Sequence, residues 1–275
     1  IINQFPNCSS ACINAAVGAG FDQDISESSL NSSNIQLFEC NDESCGRDAL
    51  NSIGVKSIEY NSVDFEVMFL PASNLFRAGA KYRVVMRNGI RNVSGRQLEG
   101  LNFDSNGDGS LDSFSWLFTV SGDGNLCAIA AMEVKPNQYE SFLIGEEVDH
   151  FSIARSSPDE CNANGQRLNT DTYDFSWATG NQSVATVTNT DANEDGRGDR
   201  AQITTSEGQG VTNINSSTEG VTGTADYTVT CGFESDNQCP SPATLQSHGV
   251  GSDSCCYMRP TVESINPANG TNEVC

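Results

Sequence analysis

The chain has 275 residues, 36 Asp and Glu against 14 Lys and Arg, and a formal net charge of −22. So acidic a surface repels nucleic acid and anionic lipid, which excludes both as expected partners, and it attracts divalent cations. Hydrophobic residues make up 37% and are spread along the whole length, which argues for folded domains rather than disorder, in number about two. No apolar run approaches the roughly 20 residues of a membrane helix, so direct membrane insertion is not expected.

Helical periodicity is almost absent, and period-two alternation is common. In "DFEVMFL" Phe65, Val67 and Phe69 share a face; in "KYRVVM" Tyr82, Val84 and Met86 do; in "SFSWLFTV" Phe114, Trp116, Phe118 and Val120 do. Turn chemistry such as "RNGIRN" and "NVSGRQ" separates them. These half-buried strands predict a first β-sandwich over 1–121, followed by the short linker "SGDGN". A second set, "AAMEV", "VDHFSIA", "TYDFSWA", "SVATV", "AQITT", "GVTNIN" and "TADYTVT", predicts a second sandwich over 126–231. Seven or so short strands per ~100 residues is immunoglobulin-like density.

A Ser-, Pro- and Gly-rich connector follows over 232–260, with Cys239, Cys255 and Cys256 inside it and Cys231 at its edge. Residues 261–275 read as one more strand, because "INPANGTNEVC" repeats the spacing of "INQFPNCSSAC" near the start. The expected fold class is therefore all-β: two tandem immunoglobulin-like sandwiches, a Cys-rich connector and a C-terminal strand.

Eleven cysteines occur without a CxxC pair, a haem-attachment motif or a zinc-type cluster. That pattern points to disulfides in an oxidising, extracellular or cell-surface setting. With Cys275 set aside as the counterpart of Cys12, ten remain. Cys40 and Cys45 close a short loop together, or either meets Cys8 or Cys12. Cys127 starts the second sandwich and Cys161 lies in its B–C connection. Those two places share one end of an immunoglobulin-like fold, so Cys127 is expected to pair with Cys161. Cys231 leaves from the other end and is expected to pair within the connector.

Two segments repeat the form Asp-x-Asn-x-Asp-Gly-x-x-Asp: "DSNGDGSLD" and "DANEDGRGD". Crowded carboxylates raise one another's pKa unless a cation joins them. The spacing 1, 3, 5, 7, 9 with Gly at 6 is that of an EF-hand-type loop. It predicts two Ca²⁺ sites: Asp104, Asn106, Asp108, the Ser110 carbonyl and Asp112; and Asp191, Asn193, Asp195, the Arg197 carbonyl and Asp199. Position 12 is Ser115 or Gln202 rather than a bidentate Glu, and strands flank the loops. The pattern resembles the calcium loops of dockerin and thrombospondin type 3 repeats.

Two further resemblances concern the sandwiches. "LPASNLFRAGAKYRVVMRNGIRNVSGRQLEG", closing with "FSWLFTV", resembles the bacterial Ig-like domain found in tandem on surface and S-layer proteins. "VKPNQYESFLIGEEVDHFSI", with "FSWATGNQSVATV" and "GQGVTNI", resembles the invasin/intimin-like, group 2 bacterial Ig-like domain. The resemblances imply a cell-surface context and no catalytic activity.

An enzyme is not expected. There is no HExxH, GxSxG, P-loop or dinucleotide-binding glycine pattern, and the only histidines, His150 and His248, lie in a predicted strand and in the connector. The expected function is that of a structural unit of a filament, stalk or layer. Copies of the chain are the expected partners, head-to-tail through the C-terminal strand with Cys275 as the inter-subunit cysteine. One window of a longer tandem protein explains the same repeat. The alternative is an adhesin that grips a glycan or another surface protein.

Overall fold

The computed structural model describes residues 1–62, 64–190, 198–231, 239, 244–247 and 254–257. These residues hold 19 strands in five sheets and three short 3-10 turns, with no α-helix among them.

The first module contains β1 (Asn3–Phe5), β2 (Val17–Gly20), β3 (Ile35–Cys40), β4 (Leu50–Ser52), β5 (Val55–Asn61), β6 (Glu66–Pro71), β7 (Lys81–Arg87) and β8 (Ser113–Thr119). One sheet runs β1-β2-β6-β5, the other β4-β3-β7-β8. That is the ABED and CFG division of an immunoglobulin-like sandwich, with one added edge strand, β4. The alternating residues form the core: Val67 and Phe69 from one sheet face Tyr82, Val84, Met86, Trp116 and Phe118 from the other. Phe65, expected at the head of β6, instead sits in the turn before it with φ of 53°, its ring still packed on the core. The Tyr82 hydroxyl accepts the Arg77 N–H at 2.9 Å, a tyrosine corner. Its ring lies 4.8 Å from Phe76 and 5.3 Å from Phe118.

The second module contains β9 (Ala131–Lys135), β10 (Gln138–Ser141), β11 (Leu143–Ile144), β12 (Glu147–Arg155), β13 (Ser176–Thr179), β14 (Ala185–Asn189), β15 (Arg200–Thr205), β16 (Gly210–Thr218) and β17 (Val221–Val229). Its sheets run β14-β15-β12-β9 and β10-β17-β16-β13. Glu219 and Gly220 join β16 to β17 with φ of 50° and 78°, the twist a two-residue hairpin turn requires.

Both modules begin in the same way. β1 pairs antiparallel with β2, passes the cis bond Phe5–Pro6, and the chain then bridges in parallel to the end of β8 through Ala11 and Val120. β9 pairs antiparallel with β12, passes the cis bond Lys135–Pro136, and continues as β10 parallel to β17. The incoming segment thus touches both sheets and closes the sandwich at one edge.

The described part of the connector is Cys239 with β18 (Thr244–Ser247) and β19 (Ser254–Tyr257), two antiparallel strands of which β19 also pairs with β11. Cys255 and Cys256 are fully buried, and Cys255 joins the core of the second module.

His150 on β12 is also fully buried, with its ring 5.8 Å from Tyr227 and 6.4 Å from Tyr139. Neither ring nitrogen has a hydrogen-bond partner among the described residues. Burial pushes its pKa down from 6.5 to about 4, and the Val148 backbone opposes the shift. Above pH 6.5 the group is neutral folded or unfolded and contributes no pH dependence. Between pH 6.5 and 4 the unfolded chain takes up a proton that the folded chain excludes, so stability falls by about 1.4 kcal/mol per unit of pH. Urea unfolding of the second module should therefore lose more stability from pH 7 to 4.5 in the natural chain than in His150→Leu, by about 2–3 kcal/mol. Parallel pH profiles would contradict this.

Candidate functional site at the module junction

A set of specific contacts outside the two cores lies where the modules meet. Its centre is the segment from Cys8 to Ala16, which leaves β1 and leads into β2. Ala11, Cys12, Asn14 and Ala15 are all at most 1% exposed.

Two disulfides cross here. Cys8 joins Cys161 with Cα atoms 5.2 Å apart, and Cys12 joins Cys127 at 5.7 Å. The expected Cys127–Cys161 pair is therefore not formed. Both residues do lie at one end of the second sandwich, but the first module occupies that end. Its incoming segment meets Cys127 at Cys12 and Cys161 at Cys8. The remaining bridges are Cys40–Cys45, Cys231–Cys255 and Cys239–Cys256. Cys275 lies outside the described residues. One sequence signal for the crossing existed: with Cys40 and Cys45 closed locally, each module keeps two cysteines that face the other.

Side-chain amides flank one antiparallel bridge, Ala15 with Leu168, across the seam. Asn14 Nδ2 donates to the Cys127 carbonyl at 3.0 Å, and the Cys127 N–H donates back to Asn14 Oδ1 at 3.0 Å. The Asn14 amide also donates to the Tyr173 hydroxyl at 3.1 Å. Gln166 does the same from the other side: its Oε1 accepts the Cys12 N–H at 2.9 Å and its Nε2 donates to the Ser10 carbonyl at 3.2 Å. Asn169 donates to the Asn74 carbonyl at 2.9 Å. Main-chain bonds continue the set, with Ala16 N–H to the Arg167 carbonyl at 2.9 Å and Asn169 N–H to the Asn14 carbonyl at 2.8 Å. These amides carry no periodic signal in the sequence, where Asn is abundant and Gln ordinary.

Charge is buried at the same seam. Arg167 is in ion-pair contact with Glu66, and the two side chains are 10% and 12% exposed. The guanidinium also lies 4.8 Å from the centre of the Phe5 ring. Burial lowers the Arg167 pKa, and Glu66 works against that shift. Lys56 reaches Asp171 at 2.6 Å nearer the surface.

The first acidic loop lies elsewhere, between Phe103 and β8. Asp104 accepts the Gly107 N–H at 2.6 Å and the Gly109 N–H at 3.0 Å, one on each oxygen. Gly109, the sixth position, has φ of 89°. Asn106 Oδ1 accepts the Asp108 N–H, and Asp108 Oδ1 accepts the Ser110 N–H. The loop is a run of Asx-type turns, and Asp112 is turned to Ser105 and Ser113, which donate to it at 2.8–2.9 Å. Among the described residues no three His, Cys, Asp or Glu side chains converge as a metal-holding group. In the second loop Asp191, Asn193, Asp195 and Arg197 lie outside the described residues. Asp199 is 5% exposed, and its Oδ2 accepts the Thr170 hydroxyl at 2.5 Å.

A groove of about 310 Å³ opens at the pole of the first module away from the junction, since β2 runs from the seam at Ala15 to Phe21 at the far end. Its floor includes Ile1, Phe21, Ile25, Leu98 and Phe114, and Asp22, Arg91 and Glu99 stand among its polar lining.

No protein-family model and no curated protein sequence matches the chain. Solved structures similar to it include domains 1–6 of the surface layer protein SbsC, at 13% identity over 90% of this chain and 27% of that one, TM-score 0.37. The Escherichia coli adhesin FdeC is similar at 14% identity over 88% of this chain and 65% of that one, TM-score 0.27. InvD of Yersinia pseudotuberculosis is similar at 10% identity over 91% and 64%, TM-score 0.26. The chain thus spans less than two thirds of the length of each.

The junction contacts lead to a stability expectation. Glu66→Ala leaves the Arg167 guanidinium buried without its partner and should destabilise the oxidised protein by about 3–5 kcal/mol. Replacing both, as Glu66→Gln with Arg167→Met, removes the charge and should cost less. Urea midpoints check this; a Glu66→Ala loss below about 0.5 kcal/mol, the range of an ordinary surface change, would contradict it.

Proposed function

We propose that the chain is a non-enzymatic structural unit of an extracellular stalk, filament or surface layer, in which two sandwiches act as one body. The observation that carries this reading is the pair of disulfides between the modules, Cys8–Cys161 and Cys12–Cys127. Bridges form and persist in oxidising compartments, which supports a secreted setting. Two of them on one short segment, with the Asn14 and Gln166 amides between, remove the hinge that a linked pair of domains has by default. A spacer needs that property and a catalyst does not.

Assembly and calcium belong to the same proposal. Residues 261–275 add as a strand to a neighbouring copy, with Cys275 closing the contact. Ca²⁺ binds the two acidic loops. In the first loop, Asp112 exchanges Ser105 and Ser113 for the ion. The support is the doubled spacing and the turn already held by Asp104.

A second reading, an adhesin, is favoured by one observation: the polar groove over Phe21 and Phe114. The half-buried Phe114 ring, with amides and charges around it, suits a glycan, while Phe21 beneath is 3% exposed. Glycan-array binding by the oxidised, calcium-loaded chain distinguishes the two. Signal at background supports the structural reading. Specific signal that is lost in Phe114→Ala, with the melting midpoint preserved, overturns it in favour of the adhesin.

Calcium has its own test. An ion that binds the folded state alone stabilises it by about 2.7 kcal/mol at a hundredfold excess over Kd. The melting midpoint is expected to rise when Ca²⁺ replaces EDTA, and less so in Asp104→Asn with Asp108→Asn. An unchanged midpoint would sink the calcium proposal.

A further inference from the structure

The two inter-module bridges are nested. Cys8–Cys161 spans a sequence separation of 153 and encloses Cys12–Cys127, which spans 115. A tensile load travels along the shortest covalent path. For any load that enters on the N-terminal side of Cys8 and leaves on the C-terminal side of Cys161, that path crosses from Cys8 to Cys161. It skips β2 to β8 and the first four strands of the second module.

From this connectivity we infer that the disulfides act as a tension bypass: load runs through the second module from Cys161 onward, and the first module hangs beside the path and stays folded. The reading deepens the proposed structural role and rests on it, since a stalk or filament is what would supply the load. Seven of the eight strands of the first module lie between the two cross-linked ends. Only β1 lies in the path, and it holds just three residues against β2. Extension can peel β1, but it cannot separate β2 from β6 or β7 from β8, because Cys12 and Cys127 tie both ends of that module to the same place. The acidic loop of the first module lies inside the bypassed segment and keeps its geometry while the chain is pulled. So does the lining of its polar groove except Ile1, which lies in the load path with β1.

The Cys12–Cys127 bridge is second in line. It takes over only when the outer bridge is absent, and it then still shields everything between its two cysteines. Cys12 is 1% exposed, whereas Cys8 and Cys161 are half-buried, so the outer bridge is the more accessible of the two to a reductant. The Cys40–Cys45 bridge lies wholly inside the bypass and carries no load while the outer pair stands.

Single-molecule stretching of the chain, held by handles at its two ends, tests this directly. At roughly 3.3–3.6 Å per residue, the oxidised protein should fall short of its extended length after reduction by about 500–550 Å from the outer bridge, apart from the connector bridges. Cys8→Ser with Cys161→Ser should lengthen the oxidised chain by only about 130 Å, because the inner bridge takes over. Cys12→Ser with Cys127→Ser should leave its length unchanged. An oxidised natural chain that reaches the reduced length overturns the bypass, and so does lengthening on removal of the inner pair alone. The structural role fails separately: a chain that shows the bypass but binds a glycan specifically keeps this inference and loses that reading.

Discussion

Everything distinctive about this chain depends on the cross-linked segment between Cys8 and Ala16. In an isolated immunoglobulin-like sandwich the incoming strand has one task, to close the edge between the two sheets. Here it has a second. After leaving β1 it runs beside the end of β8 and then makes the seam with the next module. Cys8, Ser10, Cys12, Asn14 and Ala16 each contact the second module directly. One short stretch thus belongs to two folding units, and this is why it is buried from Ala11 to Ala16.

Charge explains why the seam is built as it is. A chain with net charge −22 pays a repulsive cost for bringing two acidic bodies together. Hydrophobic contact at the junction is small: Cys12, Ala15, Ala154 and Leu168 form its cluster. So few side chains bury little apolar area. The remainder comes from covalent bonds, paired amides and the Arg167–Glu66 contact, none of which needs a large apolar face. A closed loop of about 100 residues is worth roughly 4–5 kcal/mol in the chain-entropy account, more than a cluster of this size supplies.

The architecture was largely legible in the sequence, and the junction was not. Alternation names β6, β7 and β8 of the first module, and not β1 to β5, because burial on one face forces it: Tyr82, Val84 and Met86 are all at most 2% exposed. The short strands β10 and β11 escaped, since "QYES" and "LI" are too brief to show a period. Phe65 was placed in a strand on hydrophobicity, whereas its backbone turns to positive φ. The cysteine pairing failed for a different reason. Cys127 and Cys161 do share one end of the second sandwich, but Cys12 and Cys8 of the first module meet them there. Asn14 and Gln166 act through geometry that only the folded seam creates. The acidic loops stand out by spacing alone, and in the first of them Asp112 accepts from Ser105 and Ser113.

The central claim is that the modules are joined covalently at two places by the incoming segment of the first. Peptide mapping of the natively folded protein without reductant, with free thiols blocked beforehand, tests it most directly. The account expects one linked peptide holding Cys8 with Cys161 and another holding Cys12 with Cys127. Recovery of Cys127 linked to Cys161, with Cys8 and Cys12 joined to each other or to Cys40 and Cys45, would contradict it.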